Sequence, residues 1–509
     1  MDPLFEIRID LGAAGSRESS RTLYDQLKAA ILDGRLKGGA KLPATRKSAT
    51  FFGVSRNTAV EVYERLLNER YLVTRKGSGT YVADVAPKAA PHAVRNRAGG
   101  PGPGLAPHPP LNEFWLRPEV TASMGFWRDR TERPAAASAS KAPQVDFRPA
   151  LVDSRLFPFD VFRRVSAKQL RGLEKKPASY KSPQGNQGNY YLREAITGHI
   201  ALTRAVPCQP DDIVVTSGAQ QAFDLLARVL VTSDRTVVAV EDPGYPPMRV
   251  AFAAAGAKLV PVGVDAEGLI VEQLPANVGV ICLCPSHQFP LGVTMSQRRR
   301  KALVEFARSR GAVIVEDDYD GEFRYDGSPL EALRTADAAD VVFYVGTFSK
   351  CMLAALRLGF IIAPQWAMQT LVSAKNCLDW HCSTPVQMSV AGFISAGHLS
   401  HHVRKMRRTY QQRRHLLLHS LLEDLADWLE PIPSFYGMHV AAAARASLDF
   451  DAVAESLLQN NVKIHAFSRY YLGPPTRAGL IFGYGAVDLR EMRHGLAALR
   501  KALLKHAPS

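Results

Sequence analysis

Between residues 84 and about 145 the chain turns to proline, glycine, alanine and serine: Pro-Lys-Ala-Ala-Pro at 87–91, Gly-Gly-Pro-Gly-Pro-Gly at 99–104, Pro-His-Pro-Pro at 107–110 and an Ala/Ser run from Ala135 to Ser140. Proline withholds a backbone donor and glycine maximises chain entropy, so this composition opposes helix and sheet alike and cannot bury a core. It predicts a linker over 86–145 that divides the 509 residues into a head at 17–85 and a large domain at 146–505. Trp115 and Trp127 are out of character there and predict a short segment docked on a neighbouring surface.

On either side the composition is that of folded protein: 46% hydrophobic and 22% charged residues exclude a disordered or collagen-like chain. No apolar run approaches the ~18–20 residues of a bilayer span, and MDPLFEIRID has neither a basic leader nor an apolar stretch of signal length, so a cytoplasmic location is expected and no membrane partner. The six cysteines form no CxxC pair and no zinc-type Cys/His spacing; buried free thiols and no metal are expected. The abnormal quantity is the net charge of +15, which fits nucleic acid, an acidic ligand or merely a soluble surface.

In the head, Leu23, Leu27, Ala30 and Ile31 fall at i, i+4, i+7 and i+8, one face of a helix that Gly34 stops. A second helix runs from about Ala44 to Phe52. After the Gly53-Val54 turn, Ser55 caps a third with Ala59, Tyr63, Leu66 and Leu67 inward. Tyr71–Thr74 and Thr80–Val82 read as strands of a hairpin around Arg75-Lys-Gly-Ser-Gly79. Three helices and a β-ribbon make a winged helix-turn-helix. Its third helix would enter the major groove N-terminus first, which requires outward, hydrogen-bonding residues at Arg56, Asn57 and Thr58. Arg46 and Lys47 stand where phosphate or a base is in reach, Arg75 and Lys76 lie at the wing tip, and Gly77 and Gly79 permit close backbone approach. Residues 1–83 carry 14 basic and 9 acidic side chains. That surplus alone also suits a solvated face used for protein contacts. The stretch from Leu23 to Val82 resembles the GntR-type winged helix along its length, through Gly-Ala-Lys-Leu-Pro-Ala-Thr-Arg, Val-Ser-Arg-Asn-Thr and Lys-Gly-Ser-Gly-Thr-Tyr-Val. The resemblance implies double-stranded DNA as partner, touched by Arg46, Arg56, Asn57, Thr58 and Gly77, with Lys76 beside it on the wing.

From Asp146 onward short apolar runs alternate with helical patterns, as in an α/β domain with a mainly parallel sheet. Strands are expected at 213–215, 237–240, 278–283, 312–315 and 341–345. Ligands of such sheets collect beyond the carboxyl ends of strands. The five followers are Thr216-Ser-Gly-Ala-Gln-Gln-Ala222, Glu241-Asp-Pro-Gly-Tyr-Pro246, Pro285-Ser-His-Gln-Phe-Pro-Leu-Gly292, Glu316-Asp-Asp-Tyr319 and Thr347-Phe-Ser-Lys350, with Arg357 seven residues further on. Each alone is weak. Together they meet the needs of pyridoxal 5′-phosphate: a helix N-terminus, hydroxyls and an arginine for phosphate, a carboxylate for the pyridine nitrogen, an aromatic face for the ring and a lysine for the aldehyde.

With Ser-Pro-Gln-Gly at 182–185, Leu192-Arg-Glu-Ala195, Ser217-Gly-Ala-Gln-Gln221 and Gly346-Thr-Phe-Ser-Lys350, the large domain resembles the fold-type I aminotransferases, and with the head the chain resembles the MocR subfamily of GntR regulators. The resemblance implies Lys350 as the aldimine lysine, Asp317 on the pyridine nitrogen, Tyr319 on the phenolate oxygen and Tyr245 stacked on the ring. Ala219, Gln220, Thr347, Ser349 and Arg357 would hold the phosphate. Phe289-Pro-Leu-Gly292 stands where aminotransferases carry Asn-Pro-Thr-Gly, so the asparagine contact is absent or replaced by His287 or Gln288. For a ligand carboxylate, Arg477 is the nearest match. The expected function is a homodimeric transcriptional regulator that binds promoter half-sites and senses a small amine, an amino acid or the cofactor itself. The alternative is a working aminotransferase with an accessory DNA head.

Overall fold

The computed structural model describes residues 16–75, 77–84, 112–118, 120, 145–177, 185–326, 331–337 and 340–507. The chain divides into two compact units, Met1–Pro110 and Leu111–Ser509.

In the first unit, α1 (Ser16–Leu32) buries Leu23, Leu27, Ala30 and Ile31, as their spacing requires. After β1 (Lys41–Leu42) come α2 (Thr45–Phe52) and α3 (Arg56–Asn68), then β2 (Leu72–Arg75) and β3 (Gly79–Val82). Gly53 closes α2 in the left-handed conformation that favours glycine, at φ 64°. Ser55 caps α3: its Oγ accepts from the Thr58 N–H at 3.1 Å. A buried pair, Ser48 Oγ and Tyr63 Oη at 2.7 Å, ties α2 to α3, and the Tyr63 hydroxyl also donates to the Pro43 carbonyl. The ribbon has three strands where two were expected, because β1 pairs with β3 in the order β1-β3-β2.

The first strand of the second unit is β4 (Val145–Asp146). Its main sheet uses β5 (Ile213–Thr216), β6 (Val237–Asp242), β7 (Lys258–Asp265), β8 (Gly268–Leu269), β9 (Val278–Leu283), β10 (Val313–Asp318), β11 (Val342–Thr347) and β12 (Gly359–Ile362), in the order β5-β12-β11-β10-β9-β6-β7-β8. Pairing is parallel from β11 through β10, β9 and β6 to β7, and antiparallel at β12 and β8. The five expected strands are present. A smaller sheet of β13 (Leu429–Pro431), β14 (His439–Ala444), β16 (His465–Ala466) and β17 (Gly479–Gly483) follows, and β15 (Val462–Lys463) pairs with β4. The strands of the main sheet read as near-continuous apolar runs because helices cover both faces, giving separate buried clusters on each side. Among the described residues no helix is long and apolar enough to cross a membrane. Five of the six cysteines are buried or half-buried and all are free, but Cys377 is exposed, which corrects the expectation of uniformly buried thiols.

Candidate functional site

In the second unit, strand alternation sorts three consecutive carboxylates at the end of β10. Glu316 and Asp318 face one side: Glu316 accepts from the backbone N–H groups of Leu333 and Arg334, and Asp318 Oδ2 accepts from Arg204 Nε and the Tyr344 hydroxyl, each at 2.6 Å. Asp317, on the opposite face, lines a cavity of about 680 Å³. Its Oδ1 is buried without a hydrogen-bond partner among the described residues, and burial pushes its carboxyl up to about 7. A buried oxygen in that position suits a protonated ring nitrogen.

The same cavity gathers Lys350, Tyr319, Tyr245, Ala219, Gln220, Thr347, Ser349 and Arg357. Lys350 follows β11; its Nζ donates to the Ala150 carbonyl at 2.7 Å, and burial lowers its ammonium to about 8, against the opposing pull of Asp320 and Asp317. Tyr245 sits edge-on to Phe289, ring centroids 5.4 Å apart. Ala219 is the first residue of the helix Ala219–Leu230, whose cap, Gly218 at φ 80°, supplies no side-chain acceptor, so the first-turn N–H groups are left to a ligand. A Cβ at Gly218 would come 2.8 Å from Arg357 Nη2, so glycine lets the guanidinium lie against the helix start, where it donates to the Ser217 carbonyl at 3.0 Å. Thr347 Oγ1 and Ser349 Oγ, 3.0 Å apart, complete a cup of the kind a phosphate needs. Gln220 lines the wall, but its amide donates to the Pro247 carbonyl.

Two open points resolve. Gln288 does not replace the missing asparagine, because its amide is committed to the Pro243 and Phe289 carbonyls and to the Leu291 N–H. Phe289 itself lines the cavity, and His287 lies behind Tyr319, 2.9 Å from its hydroxyl. Arg477 is exposed and does not line the cavity, so the structure does not bring it to the ligand. Sequence reasoning missed the Ala150 carbonyl, held at φ 60°, which no motif announces. It also left open where Trp115 would dock: with Val120 it lines this cavity, and the signal was an aromatic ring inside a Pro/Gly-rich stretch. Trp127 and residues 182–184 lie outside the described residues. His287, Asp320 and His439 bring three metal-type donors within 4.8 Å of one another, which the absence of zinc-type spacing did not foresee; hydrogen bonds account for the His287–Asp320 contact.

In the first unit, Arg46 on α2 and Arg56 and Asn57 at the start of α3 are exposed, as is Gly77 at the wing turn, φ 74°. Arg75 stacks its guanidinium over Tyr81, 4.6 Å from the ring centroid. Thr58 corrects the expectation of an outward group: it is buried, and its hydroxyl meets Ser55 Oγ at 2.8 Å because the cap draws it inward. Lys76 lies outside the described residues.

Comparison with known proteins agrees with both halves. Residues 19–82 match the bacterial regulatory proteins of the gntR family, and residues 156–499 match aminotransferase class I and II. The probable rhizopine catabolism regulatory protein MocR of Rhizobium meliloti is 33% identical, the alignment covering 95% of this chain and 93% of that one. The HTH-type pyridoxine biosynthesis transcriptional regulator PdxR of Corynebacterium glutamicum is 29% identical over 94% and 95%. The crystal structure of the alpha-aminoadipate aminotransferase LysN of Thermus thermophilus, complexed with N-(5′-phosphopyridoxyl)-L-leucine, covers 71% of this chain and 92% of its own at 26% identity and a TM-score of 0.64. The chain therefore belongs to the MocR-type branch of the GntR transcriptional regulators, a winged helix-turn-helix fused to a class I/II aminotransferase domain.

Proposed function

We propose that the second unit binds pyridoxal 5′-phosphate at Lys350 and senses a small amine, an amino acid or the cofactor itself, and that this controls how the winged helices of a homodimer sit on promoter half-sites. The observation that carries the reading is the convergence of Lys350, Asp317, Tyr319, Tyr245 and the uncapped helix start at Ala219 on one cavity. The cofactor, when bound, supplies an electrophilic carbon and an electron-withdrawing ring. Lys350 would hold the cofactor through its amine, and its lowered ammonium range keeps a usable fraction of that amine neutral near pH 7. Asp317 Oδ1 would hold a proton on the ring nitrogen, the state in which the ring withdraws electrons most strongly. Thr347, Ser349, Arg357 and the N–H groups after Gly218 anchor the phosphate, and Tyr245 and Phe289 close the ring's surroundings to water. An incoming amine acts as a signal only through a difference in its affinity for two conformations.

The experiment is an absorption spectrum. The purified protein should be yellow, with a band near ~400–430 nm of the kind lysine-bound cofactor gives, and Lys350→Ala should lack it. A band that survives the substitution overturns the assignment of Lys350. The second reading, a working aminotransferase, is favoured by Lys350, Asp317, Tyr319 and Tyr245 lining one cavity; against it stand Phe289 in place of the asparagine and Arg477, exposed and away from the cavity walls. Multiple turnover with amino donors and 2-oxoglutarate, without specific DNA footprinting, would decide for the enzyme.

A further inference from the structure

We propose that His287, held by Asp320, is a positioning residue that turns the hydroxyl proton of Tyr319 into the cavity, taking over from behind the task that the asparagine missing at position 289 performs from within. The inference rests on the cofactor reading above.

His287 is completely buried between the main sheet and the smaller one, and burial lowers it to about 3, so it is neutral. A neutral imidazole carries one N–H. Nδ1 lies 2.9 Å from the Tyr319 hydroxyl and 3.0 and 3.2 Å from the two Asp320 carboxyl oxygens, whereas Nε2 has no partner among the described residues. A proton on Nε2 would be an orphaned buried donor, which is rare; on Nδ1 it has two acceptors. The Nδ1–H therefore donates to Asp320 and to the Tyr319 oxygen. With its oxygen accepting from behind, Tyr319 keeps its own proton to donate forward, into the cavity that its ring lines. Burial raises the Asp320 carboxyl to about 8, and whether protonated or not it keeps an oxygen that accepts the Nδ1–H.

The surroundings fix the histidine. A Cβ at Gly437, φ 85°, would overlap the His287 ring and Asp320, so only glycine leaves room for the pair. The His439 ring packs at a centroid distance of 4.5 Å, held by its Nε2–H donating to the Pro290 carbonyl at 2.9 Å. Three segments, 287–290, 319–320 and 437–439, thus converge to hold one hydroxyl, and of their residues Tyr319 and Phe289 reach the cavity.

A donor on the cofactor's phenolate oxygen lowers that oxygen's basicity and so lowers the pH at which the visible spectrum titrates. The titratable groups on the cofactor side are Asp317, Lys350 and Arg357, those around His287 are Asp320, Asp318, His439 and Arg414, and Cys284, Glu241, Glu322, Tyr245 and Tyr470 surround them. The variants below leave all of them in place. Cofactor-loaded full-length protein is titrated spectroscopically as wild type, Tyr319→Phe, His287→Leu and the double variant. Tyr319→Phe should raise the midpoint by about one pH unit, His287→Leu should reproduce most of that shift, and the double variant should equal Tyr319→Phe alone. His287→Gln, which can still donate to the tyrosine oxygen, should restore most of the wild-type midpoint. If His287→Leu does not fold, His287→Asn, whose amide is withdrawn from Tyr319, carries the same expectation as the leucine. A midpoint in the folded histidine variant equal to wild type, or shifts that add in the double variant, overturns the proposal. No visible band in the wild type would sink the cofactor reading and this inference with it; a band with an unmoved midpoint sinks this inference alone.

Discussion

Lys350 shows how burial prepares a single side chain. An exposed lysine amine is half protonated at about pH 10.4, whereas Lys350 is lowered to about 8 because desolvation outweighs the attraction of Asp320 and Asp317. The neutral amine is the nucleophile, so capture of pyridoxal phosphate by cofactor-free protein should accelerate roughly tenfold per pH unit up to about 8 and then level off. Stopped-flow absorbance checks this. A rate still rising through about pH 10 would mean that Lys350 is not the capturing amine or is not desolvated. At the DNA face the same scale separates neighbours. Arg56 is exposed and Thr58 is buried against Ser55, so Arg56→Ala should cost ~1–3 kcal/mol at a cognate site, measured by fluorescence anisotropy, while Thr58→Ala should act through the stability of the head. Unchanged affinity in Arg56→Ala would remove α3 as the reading helix.

Elements show what the sequence carries and what it does not. The strands β5, β6, β9, β10 and β11 were legible because each is an apolar run ended by polar residues, and the motif after each reaches one cavity because the five run in the same direction. Other strands left no such mark. β7 has Pro261 in its interior and a single buried position, Val262, β12 is four residues long directly after a turn, and β1 is two residues that are a strand only through pairing with β3. The pairing of His287 with Asp320 and Tyr319 was hidden for the same reason: 32 or 33 residues separate the partners, and only the neighbouring positions of β9 and β10 bring them together. Caps, by contrast, are local and were legible. Ser55→Ala removes the acceptor of the Thr58 N–H and should cost the head ~1 kcal/mol, visible as a lowered Tm of the isolated first unit's transition in full-length protein. No change would mean that water satisfies the α3 terminus equally well.

For the whole molecule, the charge of +15 divides between tasks. The head holds Arg46, Arg56 and Arg75 exposed on its helices and wing, where phosphates and base edges lie within reach of such a fold. The second unit uses few of its cations at the site, Lys350 and Arg357, each in a defined place. Trp115 and Val120, which lie in the stretch read from the sequence as linker, belong to the second unit and form part of the wall of its cavity. The central claim is that occupancy at Lys350 is read out at the DNA. It is tested by the affinity of full-length protein for the DNA upstream of its own coding region, with and without pyridoxal phosphate and a panel of small amines, for wild type and Lys350→Ala. Wild-type affinity should change about 5-fold or more on loading, and Lys350→Ala should not respond; equal affinities in all states of the wild type would contradict the account.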